Sequence, residues 1–350
     1  MSTTLVSPTV PGVTSGTGRP NWYWAVVILG SVAVISTVRI LTGANDIDSS
    51  GALSAAIGLA MPLALAGLGG LWSEQAGVLN IGLEGMMLFG AYGGFVVAHW
   101  TGSSWIGFLA AAVAGLLVAL LMVVFCVRMG RDQIVVGIAI LLAVEGLTSL
   151  LHAAQFGTSY PRLGAVPTVR VPWLTDVPIV GPSLFGQPAI VYIGIALVVV
   201  IWWVLSRTNP GLHLRAAGWK PAALDNAGVD VLRVRTAAVL VTGALAGLGG
   251  GYMAIVVAGV FVPFMTGGMG FIAIVIAMLG RGRPLWVAVG AFLFGIALSS
   301  ATSLQLAGVT VPTDVVQMLP FVTVILALII FARQSYLPSA LAVPYVRGGR

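Results

Sequence analysis

Charge is what this sequence has least of. Only 7% of its 350 residues are Asp, Glu, Lys or Arg, whereas soluble domains carry about 25%, so water is not its main solvent. Its single lysine, Lys220, is followed by Pro221. A Walker A loop needs Gly-Lys-Ser or Gly-Lys-Thr, so the chain does not bind ATP in that way. The single cysteine, Cys126, lies in an apolar run and excludes an intramolecular disulfide or a cysteine metal cluster. His99, His152 and His213 are too far apart for ligand spacing and read as helix-end or loop residues. His-Glu-x-x-His and Gly-x-Ser-x-Gly are also missing. No catalytic residue, metal ligand or cofactor site is expected on this chain.

Hydrophobic residues make up 59% of the sequence, and the mean hydropathy is +1.06. Apolar runs of about 20 residues recur, without the alternating ~10-residue segments of a β-barrel. The fold class is therefore all-α and polytopic, in a lipid bilayer. Ten apolar segments stand out, at roughly 22–38, 52–72, 81–99, 105–127, 134–153, 189–205, 236–257, 269–280, 285–307 and 314–332. The eighth is short enough to be tilted, broken or merged with a neighbour. With the N-terminus inside, ten spans leave 13 Lys and Arg residues on the cytoplasmic side and only Arg39, Arg162 and Arg170 outside, as the positive-inside rule requires. Both termini are expected in the cytoplasm. The net charge of +6 records this loop excess and implies no nucleic acid. Residues 1–20 read as a disordered Ser-, Thr-, Gly- and Pro-rich tail. The run 22–38 lacks a cleavage site and reads as a retained helix. That leaves a transmembrane domain at 21–335 and a cytoplasmic tail at 336–350.

The outer loop 154–188 carries six prolines, which oppose regular helix, and is expected to form an irregular external cap. Trp173 and Phe185 would anchor it at the interface or meet an external partner. The string Ala-Leu-Ala-Gly-Leu-Gly-Gly at 64–70 recurs at 244–250, five segments later. An odd offset reverses the crossing direction, as in an inverted repeat of two five-helix halves. Coincidence in a chain so rich in Ala, Leu and Gly would produce the same string.

Two carboxylates fall within apolar segments. Glu145 lies about halfway through the fifth, where an ionised group costs about 2.5–3.5 kcal/mol on insertion scales. It must be protonated, paired or facing a wet path. Glu84 lies in the first turn of the third segment, near its cytoplasmic edge, with Asn80 placed to cap the helix. The glycines around it, at 77, 82, 85, 90, 93 and 94, permit a broken helix entry beside a substrate path. Between the sixth and seventh segments lies a polar loop, 206–235. Within it, Pro221 suits a helix start and Gly228 a position just past its end, predicting one two-turn helix of about 10 Å.

Three stretches together, LNIGLEGMMLFGAYGGF at 79–95, RAAGWKPAALDNAGVDVLRVR at 215–235 and TGALAGLGGGYMA at 242–254, resemble the permease subunits of bacterial ABC importers for nucleosides and simple sugars. More distantly they are similar to branched-chain amino acid and ribose permeases. The resemblance covers about 50–332. It implies a multi-pass subunit of the bacterial cytoplasmic membrane, working with a second, paralogous permease, an ATP-binding subunit that holds ATP and Mg, and a substrate-binding lipoprotein. It also implies that the short helix is a coupling helix docking on the ATPase, formed here by Arg215, Ala216, Ala217, Gly218, Trp219, Lys220, Pro221, Ala222, Ala223 and Gly228. Relatives commonly have an acidic residue and Asn before this proline, where the present chain has Trp219 and Lys220. A nucleoside path would be lined by aromatic and amide side chains. The candidates are Asn80, Glu84, Tyr92 and Glu145, with Phe264 and Met265 in the corresponding loop of the second repeat. Sugar or riboflavin-like substrates stay open, as does an ion-coupled secondary transporter acting as a single chain with Glu145 as its proton or sodium site.

Overall fold

The apolar runs fold as helices. In the computed structural model, residues 50–169, 180–306, 322 and 336–346 are described. Eleven α-helices lie within them: α1 (Ser50–Gln75), α2 (Leu83–Thr101), α3 (Ser104–Met122), α4 (Gln133–Phe156), α5 (Val180–Phe185), α6 (Ala189–Arg207), α7 (Asn209–Trp219), α8 (Pro221–Asn226), α9 (Val231–Tyr252), α10 (Met269–Leu279) and α11 (Pro284–Leu306). Wider π-helical turns extend α3 through Val123–Arg128 and α9 through Met253–Val257. Five helices are long and apolar enough to cross a membrane, namely α1, α3, α4, α6 and α9, with α10 and α11 supplying shorter apolar stretches. The expected first and tenth segments, the tail 1–20 and Trp173 lie outside the described residues.

Local chemistry sets the helix ends. Asp132 accepts from the N–H groups of Ile134 (2.8 Å) and Val135 (2.9 Å) to open α4, and Asp230 accepts from Arg233 at 3.1 Å to open α9. The prolines of 154–188 do not exclude helix altogether, contrary to expectation. Pro182 sits in the first turn of α5, where a missing N–H costs nothing.

At the centre, α9 packs against α1, α2 and α3. The approach is so close that backbone meets backbone. A Cβ on Gly90 would overlap the main chain of Gly247, and one on Gly115 that of Gly243 and Gly247. Small residues permit such contacts between helices where lipid offers no hydrophobic drive. The two copies of the repeated string face each other across α1 and α9, and their contacts are reciprocal. Gly69 lies against Thr242 and Leu245, whereas Gly249, its counterpart in the second copy, lies against Pro62 and Leu65, the counterparts of those two residues. The Thr242 hydroxyl adds a 2.7 Å hydrogen bond to the Gly69 carbonyl. At the periphery, α4 packs on α2 and turns Ile138, Leu142 and Leu150 outward.

Candidate functional site

Glu84 is the best-held of the expected site residues. It is 3% exposed and sits in the first turn of α2, at the positive end of that helix. One carboxylate oxygen accepts from the Gly268 N–H at 2.9 Å and the other from the Gly270 N–H. These are the cap and second positions of α10, so one side chain satisfies orphan donors of a second helix. Gly268 has φ 86°, and a Cβ on Gly270 would lie 2.6 Å from the Glu84 Cα. Both positions need glycine for this joint to close.

The joint is set back from the end of the bundle. Leu83 reaches Gly70, five residues before α1 ends, which is about 8 Å at 1.5 Å per residue. Glu84 thus lies in the first turn of its helix, as expected, but buried, because the link 76–82 folds back inside before α2 begins. Asn80 does not cap α2 with its side chain. Gly82 occupies the cap position, the Asn80 carbonyl accepts from Leu83 at 3.3 Å, and the amide nitrogen faces the Met86 sulfur at 3.5 Å. Asn80 Oδ1 is buried with no partner. Phe264 and Met265 lie in the turn-rich segment leading into Gly268. Phe264 is 54% exposed at a left-handed φ of 62°, and Met265 packs on the main core.

Tyr92, midway along α2, belongs to a different group, gathered near the end of α4. Its hydroxyl donates to Gln155 Oε1 at 2.8 Å, and its ring meets Phe261 edge-on at 5.2 Å. His152 lies beside Phe156, Tyr160 and Phe261, with centroids 5.4, 5.1 and 5.7 Å away. Sequence reasoning missed His152, Phe156 and Phe261. The one available signal was the i, i+4 spacing of His152 and Phe156, and nothing local pointed to Phe261.

Glu145 joins neither group. It is half-buried, on the margin between the buried face of α4 (Leu141, Thr148, His152) and its outward face. Among the described residues no hydrogen bond or ion pair reaches its carboxylate. Glu145→Gln is accordingly expected to shift thermal stability by less than about 0.5 kcal/mol and to keep most uptake. A tenfold loss of uptake at unchanged abundance would put this carboxylate on the substrate path.

At the opposite end, the loop 206–235 holds two helices where one was expected. Asn-Pro-Gly at 209–211 reads as a turn, yet Thr208 caps α7 through a 3.4 Å bond from Gly211 N–H, with Pro210 in the first turn. The second helix, α8, starts at Pro221 as expected, and Gly228 follows it at φ 82°. The predicted coupling residues divide by exposure. Arg215, Lys220, Ala222, Ala223 and Gly228 are exposed, Ala216, Trp219 and Pro221 are half-buried, and Ala217 and Gly218 are buried. Gly218 presses on the Gln75 carbonyl at the end of α1, so the buried pair fixes α7 to the bundle and offers nothing to a partner.

Residues 336–346 run across this end as a strap. Ala340 N–H donates to Gly218 O (2.9 Å) and Ala342 N–H to Gly77 O (3.1 Å). Buried Arg235 donates to the carbonyls of Val343 (2.7 Å), Ala217 (3.3 Å) and Ala340 (3.4 Å). Trp219 meets Tyr336 edge-on at 5.4 Å, so it faces the chain's own strap. The strap thus touches both the helix pair α7–α8 and the link leading to Glu84.

Residues 52–328 match the family described as the permease component of branched-chain amino acid transport systems. Three relatives align over most of their length. A Haloferax volcanii ABC transporter permease, TsgC13, provisionally assigned to glucose, is 38% identical over 71% of this chain and 76% of its own. The guanosine ABC transporter permease NupQ of Bacillus subtilis is 34% identical, over 83% and 95%. The nucleoside ABC transporter permease NupC of Lactococcus lactis is 31% identical, over 82% and 93%.

Proposed function

The chain belongs to the permease component family of branched-chain amino acid transport systems, and from that premise we propose that it forms, with a second permease, the path of an ATP-driven nucleoside importer. It is a multi-pass protein of the cytoplasmic membrane. The observation that carries the mechanism is the exposed face of α7–α8, with Arg215, Lys220, Ala222 and Ala223 outward and Leu224 buried beneath. Such a face, anchored to the bundle and strapped to the α1–α2 link, suits a docking ATPase subunit that supplies ATP hydrolysis. ATP-driven movement shifts the permease only through contacts that differ between its two states, and the strap gives that movement a route to Glu84.

The substrate reading follows the nucleoside permeases among the relatives, with a simple sugar as the second reading because TsgC13 carries a glucose assignment. Ten spans with both termini inside remain our topology. The reciprocal contacts of Gly69 and Gly249 support two inverted halves, as does the meeting of the α2 and α10 N-termini at Glu84. An extracytoplasmic lipoprotein would deliver substrate at the end that holds Tyr92 and His152.

Affinity purification in mild detergent from native membranes, followed by mass spectrometry, tests this. The expected result is co-purification of a P-loop ATPase, a paralogous permease and a lipoprotein. A chain recovered alone and active in liposomes without ATP would overturn it.

A further inference from the structure

We propose that the aromatic group around His152 is the substrate-contacting site for the planar heterocycle of a nucleoside. The proposal rests on the nucleoside reading above and adds where and how the base is held.

The argument begins with a buried polar atom. His152 is 2% exposed, yet its Nε2 has no hydrogen-bond partner. Buried polar groups are normally satisfied, and an orphan carries a desolvation penalty. Were His152 only a packing residue, phenylalanine would fill the position without that penalty. The surroundings are equally specific. Phe156, half-buried, and Phe261, fully buried, set their rings at 45° and 43° to the imidazole. Gln155 is exposed; its Oε1 is held by Tyr92, which fixes the amide, and its NH₂ makes no hydrogen bond among the described residues. Tyr160, 51% exposed, covers the imidazole from the open side, nearly parallel at 28°.

Each part matches a part of a nucleobase. The half-buried Phe156 ring stacks on one of its faces, a sequence-tolerant interaction because every base has a π-face, while Phe261 backs the imidazole from inside. His152 Nε2 and the Gln155 amide meet the nitrogen and oxygen atoms of its edge, giving the orphan its partner. Tyr160 moves aside as the base enters. The base is uncharged, and the group around His152 is built from aromatic rings and an amide.

The test uses the complete importer in proteoliposomes, with guanosine, uridine and glucose as uptake probes and 8-azidoguanosine as a photolabel. The expected result is labelling within 152–160 or at Phe261, blocked by guanosine but not by glucose. His152→Phe is expected to cut guanosine and uridine uptake about tenfold while leaving assembly intact and the thermal midpoint unchanged or higher. Phe261→Leu, which removes a ring and keeps most of the volume, should act likewise. Guanosine uptake with labelling elsewhere and both variants at wild-type rates would overturn this site while leaving the nucleoside reading standing. Uptake of glucose but of neither nucleoside would overturn the reading itself, and the site with it.

Discussion

Glu84→Ala is expected to lower uptake at least tenfold and to destabilise the purified protein by about 2–6 kcal/mol, since each of two N–H donors left without its partner costs about 1–3 kcal/mol. The loss is not confined to Glu84. Removing the carboxylate orphans the buried Gly270 N–H and leaves the start of α10 without its anchor. Glu84→Gln keeps one acceptor oxygen but turns an NH₂ toward the second donor, so an intermediate loss is expected. Glu84→Asp keeps both carboxyl oxygens but falls short by one methylene, and should resemble Gln more than Ala. The check is a thermal midpoint in detergent beside uptake in proteoliposomes. An alanine variant as stable and active as the parent would show that α10 is held by other contacts.

The second large effect is expected on the face of α8. Removing 221–228 should abolish uptake, but it would also delete Leu224, which packs with Ala217, Val231 and Tyr345, so the result would mix lost docking with lost support. Ala222→Glu combined with Ala223→Glu separates the two, because both alanines are exposed and Leu224 stays in place. Surface changes of this kind usually alter stability by less than about 0.5 kcal/mol. The double variant should insert normally and hold its partner permease, with uptake falling at least a hundredfold and ATP hydrolysis uncoupled from delivery of substrate. Full uptake would remove α8 from the coupling contact.

What was legible in the sequence follows from what the solvent dictates. A bilayer demands long apolar runs, so eight of the ten expected segments coincide with helices of the structure, from α1 through α11; the other two lie outside the described residues. The short eighth segment was legible as short because glycines and a charged turn bound it. By contrast, α7 carries no such run, and its start depends on one Thr208 hydroxyl. The two partners of Glu84 lie 184 and 186 residues away, beyond any local pattern. The group around His152 is assembled from α2, α4 and the segment after α9 for the same reason. Asn80 misled because its type suits a cap, whereas the chain turns at Gly82 before the helix begins.

The crossing of α2, α3 and α9 also bears on inheritance. Glycine codons share their first two letters, and any single change at either letter encodes a side chain with a Cβ or a stop. At Gly90, Gly115, Gly243 and Gly247 such a Cβ would meet neighbouring backbone or a tightly placed methyl. A gene for this protein can therefore drift at those four codons only through their silent third letters. A library of random variants selected for uptake should be depleted of every coding change there, including alanine, while the same glycine-to-alanine change at Gly146, which has open space around it, passes freely.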